Sequence, residues 1–460
     1  MESLFFTKFN WSVFFGIAIF ILIFFPDLSW YSYFALLISL HQFFLLFYSI
    51  DHVLPVRYLL GTFMCLQMFI GPVLAYNGLD RFQFVIYQMK VPEAIYFSYV
   101  IPAVSSFIFG LHIWAGKLKG EIIDIKSIKA FTDTRSTLPY LFIGIGFISS
   151  IISGFFSSNF AFVFYLLGGF KFIGAFLLIL GNKQLRIAEL IIVYGSIIIS
   201  SLGDGMFHDL LTWLIMLGAI LAIKYKPGIN LKLIACTSFI LLSIIIQQLK
   251  GSYREATWKG QEAGAETFQK VYEAGKENNT LFNFKSLAES NVRINQGFIV
   301  TNIMKTVPSR IPYSNGAELW QILESAILPR FLAPSKLNAG DRTLFTKYSG
   351  INIRQGTSMA LSSVGDAYIN FGIIGGCIFM FFLGLLYNLV LKGFLKYSKN
   401  FPILLLFTPL VFYYPIRPDC ELQTILGHLV KSCFLIFVIF LVWKKEFKLP
   451  VQRFWKKYSY

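Results

Sequence analysis

Apolar runs of about 16–25 residues recur along most of the chain, separated by short polar connections, close to the ~20 residues a helix needs to cross a bilayer. In lipid every backbone N–H and C=O must be satisfied internally, so each such run is read as a helix. Twelve spans are expected, at about 11–26, 28–49, 54–76, 93–116, 138–157, 159–181, 187–202, 206–223, 230–248, 368–391, 401–415 and 423–443. The opening MESLFFTKFNWSVFF has no small-residue cleavage site and reads as the start of a span rather than a removable signal. Hydrophobic residues make up 56% of the sequence and charged residues 14%, which excludes an ordinary soluble composition. The expected class is all-α, a polytopic membrane protein.

The formal charge of +16 invites a nucleic-acid reading, but the cations sit mostly between spans. With both termini cytoplasmic, the inner connections include KLKGEIIDIKSIKAFTDTR, GNKQLR, KYKPGINLK, KGFLKYSKN and the tail KKEFKLPVQRFWKKYSY, all rich in Lys and Arg. The outer connections FPDLS, FSSN and SLGDG are almost free of them, so the positive-inside rule is met loop by loop and nucleic acid is not a partner. The five cysteines are scattered, without the paired spacing of a disulfide framework or zinc site.

This divides the chain into a membrane bundle (1–248), a large outer loop (249–367), three further spans (368–443) and a basic cytoplasmic tail (444–460). A loop of about 120 residues is either functional or disordered. Trp258, Trp320 and many aliphatic residues argue against disorder. Within the loop, GAELWQILESAIL has apolar residues at helical spacing and should lie amphipathically over the bundle.

Arginines and lysines bracket the loop: Lys250 and Arg254 in QQLKGSYREATWKG, then Arg293 and Arg310, then Arg330 and Lys336 in ILPRFLAPSK, then Arg354. Arg417 follows in the last outer connection, YYPIRPDCELQ, between two prolines. A guanidinium donates two parallel hydrogen bonds and stays charged, which suits phosphate; the competing reading is pairing with nearby carboxylates or snorkelling to headgroups. His428 and Lys431 are three apart, so they share a helix face in the last span. Asp204, His208 and Asp209 cluster at a break, but adjacent residues on a helix point apart, so no metal is expected. Asp366 and Glu318 are the candidate bases, with Asp419 and Glu421 behind them. A carboxylate beside apolar surface can have its pKa raised into a useful range. Asp366 fits equally as the N-cap of the tenth helix. The glycines of FGIIGG suit close helix packing.

Taken in order, LKGSYR, LPRFLAPSK, GDAYINFGIIGG and PIRPDCE resemble the bacterial oligosaccharide repeat-unit polymerases, the O-antigen polymerase (Wzy) family. The likeness covers about residues 247–440 in detail. It implies a GT-C-like, metal-independent membrane glycosyltransferase of the inner membrane, with no cofactor. Such an enzyme moves a growing glycan from undecaprenyl pyrophosphate onto the non-reducing end of another lipid-linked repeat unit at the outer face. A chain-length regulator is the implied protein partner. On that resemblance Arg330, Arg417, Arg254 and Asp366 are catalytic, while Arg354, Lys336, Lys431, His428, Lys250 and Glu318 bind substrate. One departure stands out: family members often carry an arginine at the turn that here reads SLGDGMFHDL, which has none. The alternatives are an O-antigen ligase, which typically uses a histidine in the outer loop where this chain has none, and a flippase of lipid-linked sugars.

Overall fold

A computed structural model describes residues 10–113, 122–156, 158–182, 184–278, 280–328, 337, 340, 342–353 and 359–448. Among them the only β pairing is an isolated bridge between Val53 and Ile122; the rest is helix and connection. Helix α1 (Trp11–Phe24) is only 14 residues long. Among the described residues, ten helices are long and apolar enough to cross a bilayer. They are α2 (Trp30–Ser49), α3 (Val56–Tyr76), α4 (Glu93–His112), α6 (Leu138–Phe155), α7 (Phe162–Gly181), α8 (Ile187–Asp204), α9 (His208–Tyr225), α10 (Ile229–Trp258), α16 (Ser362–Ser398) and α17 (Leu422–Val442). Between α4 and α6 lies the short α5 (Ile125–Thr134). Five helices occupy the expected outer loop: α11 (Ala265–Glu277), α12 (Phe284–Ile294), α13 (Gly297–Thr306), α14 (Ala317–Ile327) and α15 (Arg342–Ser349). The bundle exposes large apolar side chains such as Ile23, Ile191, Ile199, Phe434 and Phe437, a surface that water would penalise and lipid would not.

The expected loop boundary at 249 falls inside α10, which continues to Trp258. The expected span 401–415 is not one helix. A 3₁₀ turn (Leu404–Phe407) and a single α-turn (Thr408–Val411) are followed by irregular chain. The segment nevertheless runs antiparallel along α17: Phe401 packs on Phe440, and the carbonyl of Leu410 meets His428. Irregular backbone at such a depth is tolerated only inside protein, and Ile403, Leu406, Phe407, Val411 and Phe412 are buried accordingly. Twelve spans therefore become ten long helices, one short one and one broken, buried segment.

Two close packings fix the frame. Helices α4 and α16 touch through glycines. A Cβ on Gly110 would run into the Phe381 carbonyl, and one on Gly384 into the Phe107 carbonyl, the small-residue contact that lets membrane helices approach. In α3 the ladder widens to a π-turn at Leu66–Ile70. Pro72 has no N–H, so the carbonyls of Gln67 and Met68 lose their helical partners. The Gln296 N–H (3.1 Å) and the Tyr96 hydroxyl (2.9 Å) take them instead. This ties the expected outer loop to α3.

Helix α16 is broken at Gly372, whose φ of 66° and ψ of −155° interrupt it. Ser314 N–H takes up the Ile369 carbonyl at 3.0 Å. The leading segment, 362–370, is buried throughout and uses polar residues one turn apart to hold other helices. The Asn370 amide oxygen accepts from the N–H of Leu319 in the first turn of α14. Asp366 accepts from the N–H of Leu422 at the start of α17. Asp366 is thus not the N-cap of its own helix; it caps a different one. Of the FGIIGG glycines, Gly376 lies against Tyr99 as packing requires, while Gly372 makes the break.

At Gly372 an added Cβ would meet the Tyr313 ring at 3.2 Å in a backbone region that L side chains rarely adopt. Gly372→Ala should therefore cost about 1–3 kcal/mol, seen as a melting temperature in detergent lowered by several degrees. Gly393→Ala, with open space around it, is the control. Equal melting of the two variants would remove the break's structural role.

Candidate functional site

The last turns of α10 carry Lys250 and Arg254 four residues apart, hence on one face. Arg293 lies in the last turn of α12, and Arg417 in the turn before α17. The fold brings the four together: Lys250 feels the charges of Arg254, Arg293 and Arg417, and Arg254 that of Arg293. A counter-charge, Asp419, lies 3.7 Å from the Arg417 guanidinium. The Gln67 amide also donates to Asp419, at 3.4 Å. Burial opposes the charge of Arg417, but Cys420, Asp419, Tyr413 and Tyr414 around it hold its pKa above the ordinary value. Its guanidinium stands over the Tyr414 ring at 5.6 Å. Beside it, burial pushes the Cys420 thiol up to about 12.

The SLGDG turn, which has no arginine of its own, receives one from elsewhere. Arg254 Nε donates to the Gly205 carbonyl at 2.9 Å. Asp209, just after the turn, lies within electrostatic reach of Arg417 and Tyr413. His208 and Asp209 do not point apart as expected; they are paired with each other.

The same turn that presents Arg417 ends at Glu421, on the rim of a small pocket of about 30 Å³, room for one or two waters. Its walls include Ile322, Leu344, Phe345, Leu361 and Leu422, and its two carboxylates are Asp366 and Glu421. Asp366 is 7% exposed. Glu421 Oε2 accepts from the Gly340 N–H at 2.9 Å, and Gln423 donates to the Leu337 carbonyl at 2.7 Å. The chain after the Arg330 region is thereby fastened against the pocket at Leu337 and Gly340.

Arg330, Lys336 and Arg354 lie outside the described residues. Glu318 takes a bond from Lys347 (2.8 Å) and one from the Tyr348 hydroxyl (2.7 Å). The bond to Glu318 holds the Lys347 ammonium above its ordinary pKa. Glu318 is therefore engaged in tying α14 to α15. His428 is buried, its Nε2 on the Leu410 carbonyl at 2.8 Å, packed against Tyr414. It sits one aromatic layer from Arg417 and pins the broken segment to α17. Lys431 is exposed, with its ammonium 4.6 Å from the centre of the Phe162 ring. Both contact Phe162, as a shared face requires, but neither belongs to the cation cluster. Arg293 and Gln67 had no assigned role in the sequence. The signal for Gln67 was Pro72 within an apolar run.

The fold and this site define a class: an all-helical chain whose helices suit a bilayer, with a cation cluster and a carboxylate pocket joined by one turn. The chain belongs to the family described as a domain of unknown function (DUF8712), matched over residues 59–394. No curated protein and no solved structure matches the chain. The family match includes Gln67, Lys250, Arg254, Arg293 and Asp366, and ends before Arg417 and Glu421.

Proposed function

We propose that this protein is a membrane glycosyltransferase that polymerises lipid-linked oligosaccharide repeat units. It transfers a growing glycan from undecaprenyl pyrophosphate to the non-reducing end of another lipid-linked unit at the outer face of the bacterial inner membrane. The observation that carries this reading is the convergence of Lys250, Arg254, Arg293 and Arg417, from three distant parts of the chain, next to the Asp366–Glu421 pocket. So much clustered positive charge with few counter-ions calls for a polyvalent anion. In the proposed reaction an acceptor hydroxyl oxygen attacks the anomeric carbon. The bond from that carbon to the pyrophosphate oxygen breaks, its electrons stay on the leaving oxygen, and the cations stabilise that charge. Asp366 accepts the hydroxyl proton.

On this reading the broken segment is an eleventh crossing and α1 the first, giving twelve crossings of a GT-C-like bundle with both termini inside. Single cysteines at Lys276 and Lys399, both exposed, in a cysteine-free variant should then differ. In intact spheroplasts an impermeant maleimide should label the first and spare the second; the reverse pattern would overturn the orientation. The reaction itself is tested by deletion in the native host and gel analysis of surface glycan. Loss of the polymer ladder with one repeat unit retained on lipid A core supports a polymerase. Total loss of capped core would replace it with a ligase.

A further inference from the structure

Next to the cations lies a group of buried amides with unused oxygens. Gln67, Asn291, Asn295 and Gln296 are each 9% exposed or less. Among the described residues, nothing donates a hydrogen bond to Gln67 Oε1, Asn291 Oδ1, Asn295 Oδ1, Gln296 Oε1 or Gln247 Oε1. Gln247 stands three residues before Lys250 on α10, on the same face. The amide nitrogens of Gln67 and Asn291 are committed to structure, donating to Asp419 (3.4 Å) and to the Gly71 carbonyl (3.0 Å). Backbone bonds hold the group together: Gln296 N–H to the Gln67 carbonyl at 3.1 Å, and Asn295 N–H to the Asn291 carbonyl at 2.7 Å. Gln67 stands on the π-turn of α3, a feature frequent at functional sites. Through Asp419 it is continuous with Arg417.

Five acceptors without donors are costly to bury unless something supplies O–H or N–H groups. A set of acceptors beside a polycationic cluster matches one ligand chemistry: a phosphate bearing a group rich in hydroxyls. The geometry points to a sugar-binding subsite, in which Gln67, Asn291, Asn295, Gln296 and Gln247 accept hydrogen bonds from the hydroxyls of the sugar whose phosphate the cations hold. The subsite rests on the cluster being the pyrophosphate site. It adds where the first sugar of the donor lies, against the π-turn of α3 and the end of α12.

The test is calorimetric titration of the full chain in detergent with inorganic phosphate, glycerol 1-phosphate as a headgroup mimic, and three sugar 1-phosphates (glucose, galactose and N-acetylglucosamine). At least one sugar phosphate should bind about tenfold tighter than both phosphate and glycerol 1-phosphate, the gain of two or three net hydrogen bonds. Gln67→Met and Gln296→Met should each abolish that preference while leaving phosphate binding intact. The melting temperature of Gln296→Met should hold or rise, because it removes an unsatisfied buried oxygen; Gln67→Met also gives up the 3.4 Å bond to Asp419 and should melt no higher than the wild type. If either variant melts early, the other carries the comparison. Phosphate binding without preference for any sugar, or a preference shared by glycerol 1-phosphate, overturns the subsite and leaves the cation reading standing. A wild-type chain that binds no phosphate overturns both.

Discussion

Arg417→Ala is expected to cut polymer formation by about 10²- to 10³-fold, the loss typical when one preorganised group that stabilises developing charge is removed. The turn that carries Arg417 is held by its own backbone bonds, Arg417 N–H to Tyr414 (2.9 Å) and Cys420 N–H to Arg417 (3.1 Å). The side chain is fixed between the Tyr414 ring and Asp419. In the proposed reaction a guanidinium so placed does not have to reorganise as the pyrophosphate departs. Arg417→Lys should recover little, since a point charge lacks the two-pronged geometry. The measurement is chain elongation in vitro with purified lipid-linked repeat units, alongside melting of each variant in detergent. A variant that melts normally and does not elongate places the loss in the chemistry. Full activity in Arg417→Ala would remove its role in stabilising the leaving group.

How much of this could be read from sequence depends on the range over which each feature is encoded. The spans are local: twenty apolar residues in a row are their own evidence, and α2, α4, α8 and α9 lie close to where the hydropathy puts them. Lys250 and Arg254 share a face by spacing alone, and Arg417 drew notice because prolines flank it. Long-range partners were not legible. The acceptor role of Asp366 toward Leu422 joins residues 56 apart, so spacing suggested only the local alternative, a cap on its own helix. The π-turn needed Pro72, which is visible, and also Gln296 and Tyr96 to take the freed carbonyls, which are not. The SLGDG turn looked short of a cation because its arginine, Arg254, arrives from the far end of α10. For His428 and Lys431 spacing predicted a common face, yet it could not say that one is buried against Leu410 and the other exposed. The broken segment before Arg417 is as apolar as a helix; only its burial on all sides lets it dispense with helical hydrogen bonds.

Asp366→Asn should slow elongation by about 10²- to 10⁴-fold with little change in stability, the range typical of general-base loss. The carboxylate does two things that this substitution separates. As an acceptor for the Leu422 N–H it holds the start of α17, and the amide oxygen of Asn does that equally well. As a base it must take a proton, which an amide does not do. Asp366 and Glu421 face one small, mostly apolar pocket, where a second negative charge is disfavoured. Neutralising one should leave the melting temperature unchanged or raise it, so a slow Asn variant that melts normally is a catalytic defect. Near-normal turnover by Asp366→Asn would make the residue a cap and nothing more. Glu421→Gln is then the next substitution, because Glu421 lines the same pocket with the Gly340 N–H on its Oε2. Asp419 and Glu318 follow it, each already engaged by a cation at 3.7 and 2.8 Å and so less free to accept a proton.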